Sequence, residues 1–172
     1  MLAGEDVQFV VLGAGEGRYE QFLQAAEHRH PDKVAVRLGY DDRLARRIYG
    51  GSDMFAMPSQ FEPCGLSQLL ALRYRSVPIV RETGGLKDTV AAYNEYTGEG
   101  NGFSFLNYNA HDYMYTLRRA LHLYRCEETW KHIVDNGSKE DLSWKRSAKD
   151  YVTVYSQLAA NRKERDLWLG IS

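Results

Sequence analysis

Two cysteines among 172 residues, Cys64 and Cys126, in no Cys-x-x-Cys spacing, exclude a disulfide framework and a structural zinc site. Both are expected to be free thiols. The five histidines include no His-x-x-x-His pair with an acidic third ligand at useful spacing, so no metal site is expected. Charge of one sign is missing too. Lysine plus arginine (22) nearly cancels aspartate plus glutamate (23), and a formal charge of -1 supplies no field to gather nucleic acid or an anionic membrane. Long apolar runs are absent. Phe9 to Leu12 and Val77 to Val80 fall far short of the roughly 20 residues of a membrane span. The first residues carry neither a basic region nor an apolar signal core, which makes the cytoplasm the expected location.

The sequence does hold an alternation. Val7 to Leu12 is short, β-branched and apolar, ends in Gly13-Ala14-Gly15-Glu16-Gly17, and reads as a buried strand entering a turn. Tyr19, Phe22, Leu23 and Ala26 give the following helix its apolar face, with Pro31 beyond its end. The pattern repeats. Strands are expected at Val34 to Leu38, Met54 to Met57, Val77 to Val80 and Gly102 to Leu106. Helices are expected around Leu44 to Tyr49, over Leu66 to Tyr74 and over Leu86 to Tyr93, with the remainder of the chain helical. Apolar strands separated by helices require right-handed crossovers and a parallel sheet covered on both faces. The expected fold is a doubly wound α/β domain of about five strands with a helical C-terminal region.

Ligands of such sheets bind outside the carboxyl ends of the strands, so the chemistry belongs in the loops that follow them. In Phe61-Glu62-Pro63-Cys64-Gly65-Leu66-Ser67, Gly65, Leu66 and Ser67 open a helix and can offer free backbone N–H groups to a phosphate. Glu62 beside them suits sugar hydroxyls, or else merely caps the helix. Thr83-Gly84-Gly85 opens another helix with two residues that let backbone approach a ligand, or is a plain strand-to-helix connection. Tyr40, after Gly39, is a base-stacking aromatic or a core tyrosine. Gly13-Ala14-Gly15-Glu16-Gly17 fails the G-x-G-x-x-G dinucleotide spacing by one position, against a nicotinamide-binding oxidoreductase.

Two long stretches, Pro58-Ser59-Gln60-Phe61-Glu62-Pro63-Cys64-Gly65-Leu66-Ser67-Gln68 and Arg81-Glu82-Thr83-Gly84-Gly85-Leu86-Lys87-Asp88-Thr89-Val90, closely resemble bacterial glycogen synthases and plant starch synthases. The resemblance runs from about Val7 to Tyr155 and takes in Leu12 to Gly15, Gly39-Tyr40, Ile48 to Asp53 and Ser143-Trp144. It implies a retaining glucosyltransferase of GT-B architecture that moves glucose from ADP-glucose to the non-reducing end of an α-1,4-glucan. Residues 1–158 would be most of its C-terminal, donor-binding domain, lacking the N-terminal part, and 159–172 a charged tail. Tyr40 would stack on adenine, Glu62 would bind the transferred glucose with the backbone of Cys64 and Gly65, and Leu66 and Ser67 would hold the distal phosphate. No cofactor is implied. Gln60, Ser67 and Glu82 depart from the residues common in the family, and the first and last remove positive charge near the donor.

The resemblance also implies partners: ADP-glucose or ADP, the glucan acceptor, and an N-terminal domain carrying the acceptor-side groups. The diphosphate clamp would precede Met1, as would a strand at the centre of the sheet. The chain alone is therefore expected to be inactive. Its sheet is expected to close by pairing Val7 to Leu12 with Met54 to Met57, or to borrow a strand. The alternative reading is a non-catalytic module that binds a nucleotide sugar or associates with glucan.

Overall fold

The computed structural model describes residues 4–168. Five strands alternate with helices: β1 (Phe9–Gly13), α1 (Gly17–Arg29), β2 (Val34–Leu38), α2 (Asp42–Gly51), β3 (Met54–Met57), α3 (Ser67–Arg73), β4 (Val77–Arg81), α4 (Gly84–Thr89) and β5 (Phe103–Phe105). Three helices follow, α5 (Ala110–Tyr124), α6 (Glu127–Ser138) and α7 (Trp144–Trp168). Every strand pairing is parallel, as the βα alternation requires. No helix among the described residues is long and apolar enough to cross a membrane.

The chain divides into two compact units, Met1–Gly137 and Ser138–Ser172. The second contains α7, a single helix of 25 residues on which the Tyr151 and Tyr155 rings stack at 6.3 Å. That helix runs to Trp168, into the stretch 159–172 read from sequence as a charged tail.

In the first unit the core belongs to the later strands. Ile79 and Phe103 on β4 and β5 pack with Leu117, Ala120 and Leu123 of α5 and Trp130 and Ile133 of α6, all buried. A smaller cluster of Val80, Leu86 and Val90 lies under α4. Pro78 is tolerated in this buried strand because it stands at its entry, where the ladder to β5 has not begun. By contrast, Val34 is the only buried hydrophobic residue described before Ala71. Tyr19 and Phe22, expected to face inward from α1, are 55% and 64% exposed; the Arg18 guanidinium lies 4.6 Å from the Tyr19 ring centroid.

Two sequence expectations are corrected. Helix α4 ends at Thr89 rather than Tyr93. The Asn101 side chain accepts from the Ala91 N–H and donates to the Thr89 carbonyl, drawing the chain out of the helix so that Ala92 bridges Gly102 and Tyr93 enters the core. The second correction concerns the sheet, which does not close. Strands β1 and β2 form one sheet, β3, β4 and β5 another, and β1 is not paired with β3. The first pair is held elsewhere. The Glu5 carbonyl accepts from Lys33 and its carboxylate from Arg125, while Tyr49 of α2 lies against Phe55 and Tyr74. None of these contacts brings β1 onto β3.

Candidate functional site

The loops after β3 and β4 are built into each other. A Cβ added at Gly84 would stand 2.1 Å from the Glu62 carbonyl oxygen, and one at Gly85 would stand 2.0 Å from that of Cys64. Both atoms are backbone, so neither can turn away, and the Gly85 N–H donates to the Pro63 carbonyl at 3.3 Å. The glycine pair therefore allows close approach, as the sequence suggested, and what approaches is the Glu62 loop. Gly65 is fixed for a second reason: its φ of +72° lies in the left-handed region, and its missing side chain makes room for Gln68.

Gln68 is fully buried beneath this loop. Its amide nitrogen donates to the carbonyls of Cys64 and Gly65 and to the Thr89 hydroxyl, which in turn donates to the Gly85 carbonyl. One side chain thus ties α3 to α4 through both loops. The Gln68 carbonyl oxygen, beside Gly65, has no partner. Sequence reasoning passed over Gln68, although an amide on the apolar side of a short helix, between Leu66 and Leu72, signals a buried polar role.

Arg81 makes a similar tie farther out. Its guanidinium donates to the carbonyls of Gln60 and Leu106 and lies 5.4 Å from the Tyr108 ring centroid. Glu82, a departure from the family pattern, accepts from the Ser104 hydroxyl at 2.8 Å, and Gln60 contributes its backbone to the Arg81 tie. A cavity of about 330 Å³ opens beside Pro58, lined by Phe105, Tyr108, Asn109, Ala110 and Tyr113. Burial pushes the Tyr113 phenol above its ordinary pKa. None of the sequence-predicted site residues lines this cavity.

Glu62 remains half-buried, and its carboxylate takes no hydrogen bond or ion pair from any described residue. It does not cap α3, whose N-cap is Leu66 with no side-chain bond. The Ser67 hydroxyl and the N–H groups of Leu66 and Ser67 also lack partners among the described residues. Cys64 is a free, exposed thiol. A free carboxylate and free donors thus stand on one loop, which is held by backbone contact with Gly84 and Gly85 and by the bonds of Gln68.

Of the three strand-end loops singled out in the sequence, two are brought together, Glu62 to Ser67 and Thr83 to Leu86. The third lies at the end of the other sheet, where Gly39 donates to the Gly13 carbonyl at 2.9 Å. Tyr40 there is 91% exposed, which removes the core-tyrosine reading and leaves its ring face open. Among the described residues no group of three His, Cys, Asp or Glu side chains could hold a metal ion.

Comparison with known proteins finds relatives of the chain by sequence and by fold. The glycogen synthase of Desulforamulus reducens is 56% identical over 156 residues, covering 91% of this chain and 32% of that protein. That of Geobacillus stearothermophilus is 54% identical over 157 residues, with the same coverage. The chain spans about a third of the length of these curated relatives. Among solved structures, the catalytic domain of starch synthase IV from Arabidopsis thaliana, bound to ADP and acarbose, superposes with a TM-score of 0.75 at 38% identity, over 87% of this chain and 32% of that one. A sucrose-phosphate synthase from Thermosynechococcus elongatus shares the fold at 18% identity and a TM-score of 0.61, over 90% of this chain and 39% of that one. Residues 2–140 match the family described as glycosyl transferases group 1, and the chain belongs to that family.

Proposed function

We propose that this chain is the donor-binding part of a glycogen or starch synthase. The whole protein would transfer glucose from ADP-glucose to the non-reducing end of an α-1,4-glucan with retention. The observation that carries this reading is the unpartnered Glu62 carboxylate, fixed by the interlock of its loop with Gly84 and Gly85. Relatives more than half identical to the chain bear the glycogen synthase name, and the starch synthase of similar fold carries ADP.

In this reading Glu62 accepts hydrogen bonds from the hydroxyls of the transferred glucose, beside the backbone of Cys64 and Gly65. The N–H groups of Leu66 and Ser67, with the Ser67 hydroxyl, meet the distal phosphate, and Tyr40 stacks on adenine. Thr83, Gly84 and Gly85 contribute by holding the loop. As the glucosyl centre becomes cation-like and the diphosphate departs, fixed donors stabilise the leaving charge, which is electrostatic catalysis. Cys64 has no histidine within hydrogen-bond reach among the described residues and is not the nucleophile. The acceptor-side groups and an N-terminal domain are supplied by the remainder of the protein, so the 172-residue chain alone does not elongate glucan.

The test is Glu62→Ala in a two-domain protein carrying this domain. A transition-state hydrogen bond of about 3 kcal/mol corresponds to a loss of about a hundredfold in kcat/KM, with the thermal midpoint little changed because the carboxylate makes no hydrogen bond or ion pair with a described residue. Wild-type kinetics in that variant would end the proposal.

A further inference from the structure

Three successive carbonyls of the Glu62 loop are bonded toward the interior. That of Pro63 accepts from the Gly85 N–H at 3.3 Å, and those of Cys64 and Gly65 accept from the Gln68 side-chain nitrogen at 3.1 and 3.0 Å. A trans peptide unit is planar and sets its C=O and N–H in opposite directions. The N–H groups that complete these three units, those of Cys64, Gly65 and Leu66, therefore turn away from the bonds that hold the carbonyls. None of the three has a partner among the described residues.

Gly65 is the pivot of this arrangement. With φ at +72° and no side chain, it can exchange its conformation for one in which the neighbouring peptide units are reversed. Reversed units would offer their carbonyls to water and set oxygens where the N–H groups of Gly65 and Leu66 now stand. The Gln68 amide opposes this, and its own direction is fixed by chemistry. The Thr89 hydroxyl spends its hydrogen on the Gly85 carbonyl at 2.6 Å, so toward Gln68 it only accepts, at 3.1 Å. All three neighbours of the nitrogen are acceptors, and the Gln68 oxygen is left buried without a partner. An apolar side chain would avoid that penalty if the two peptides were free to turn outward, so the direction in which the amide holds them accounts for its presence.

We propose that Gln68, aligned by Thr89, is a positioning residue for glucosyl transfer. It selects the peptide orientation that presents the N–H groups of Gly65 and Leu66, rather than carbonyl oxygens, to the sugar and the departing diphosphate. This inference rests on the sugar-nucleotide reading of the loop. Gln68 touches no substrate; it acts through the carbonyls of Cys64 and Gly65, and through Thr89 it joins their orientation to the Gly85 turn. Reversal of either unit would put an acceptor beside developing negative charge, turning attraction into repulsion.

The first measurement needs no nucleotide. Residual dipolar couplings of the 172-residue chain, partially aligned in solution, report the direction of each N–H. Gln68→Met keeps the length of the side chain and removes both donors. The couplings of Gly65 and Leu66 should change in that variant, while those of Ile79, Val80 and Phe103 in the buried strands keep their wild-type values. Unchanged couplings at Gly65 and Leu66 would overturn the proposal.

The second measurement is kinetic, in a two-domain protein carrying this domain and well below the thermal midpoint of each variant. Gln68→Met should lower kcat by about tenfold or more. Thr89→Val, which removes the hydroxyl in nearly the same volume, should lower it by about threefold, and Thr89→Ser should restore it. KM for ADP-glucose should stay within about twofold throughout, because the oriented groups act on charge that develops in the transition state. A residue that only stabilised the domain would leave kcat of the folded protein unchanged, and that result in Gln68→Met and Thr89→Val would overturn the proposal. If Gln68→Met does not fold, the Thr89 pair decides alone. A wild-type protein that transfers no glucose would end the underlying reading and the proposal with it, whereas an active wild type matched by its variants would end the proposal alone.

Discussion

The two halves of the first unit do the same architectural task with very different resources. From Ala71 to Ile133 the strands are sealed under α4, α5 and α6, and the buried hydrophobic residues cluster there. From Phe9 to Met57 a single hydrophobic residue, Val34, is buried. The candidate site inherits the contrast. Its Glu62 wall is fixed by backbone contact with Gly84 and Gly85 and by Gln68 beneath, whereas Tyr40 stands almost fully exposed on a loop tied to the rest by one bond to Gly13. Under the proposed function the rigid wall suits the group that would meet the reacting sugar, where small displacements are costly. The open wall suits a base, which stacks on a ring face and tolerates adjustment.

The largest effect that tests this contrast is in the core. Phe103→Ala should cost about 4 kcal/mol in a denaturation measurement, and Phe9→Ala in the open half less than about 1 kcal/mol. Equal losses would remove the distinction. Next comes the interlock. Gly85→Ala drives a methyl group into the Cys64 backbone and should cost about 3 kcal/mol, whereas Gly13→Ala, with nothing within 4 Å of the added atom, should cost under about 1 kcal/mol. The two values, measured in one denaturant series, should differ clearly.

Hydrogen exchange should rank the halves in the same way. The amides of β4 and β5 open only in global unfolding, and those of β1 and β2 open earlier. Uniform protection across the five strands would contradict the account. The smallest expected effect lies on the surface of the later half, at the exposed Cys126. The Thr129 hydroxyl bonds to its sulfur at 3.2 Å and lowers the thiol below its ordinary pKa. The thiolate fraction near neutral pH is thereby raised, so alkylation should be a few-fold faster than for an ordinary thiol. In Thr129→Val that advantage should disappear at pH 7 and vanish from the comparison at pH above 9.

Much of the fold was legible in the sequence because the alternation of strand and helix is written in hydrophobic period. The bounds of β2 and β3 follow directly from Val34 to Leu38 and Met54 to Met57. Helix α4 was misjudged because its end is decided by Asn101, ten residues downstream of the Ala91 amide it receives. No window of local sequence contains that bond. Closure of the sheet was misjudged for a related reason: pairing energy favours it locally, but Glu5 and Tyr49 anchor the first half elsewhere. At the site, the loops at Glu62 and Gly84 were found because their residues follow strands. The purpose of the glycines was only half legible, since the backbone that crowds them comes from another loop, and Gln68 was missed because its three acceptors lie on two separate segments.

The central claim is that the Glu62 to Ser67 loop and the Gly84-Gly85 turn form one preorganised surface for a sugar nucleotide, with Tyr40 as its base platform. Titration of the isotopically labelled 172-residue chain with millimolar ADP-glucose, followed by nuclear magnetic resonance, tests it most directly, because weak binding still moves the resonances of contacted groups. The account predicts saturable shifts at the amides of Glu62 to Ser67, at Gly84 and Gly85, and at the Tyr40 ring, with smaller shifts for UDP-glucose. Shifts confined to other parts of the chain, or none at any of these residues, would contradict it.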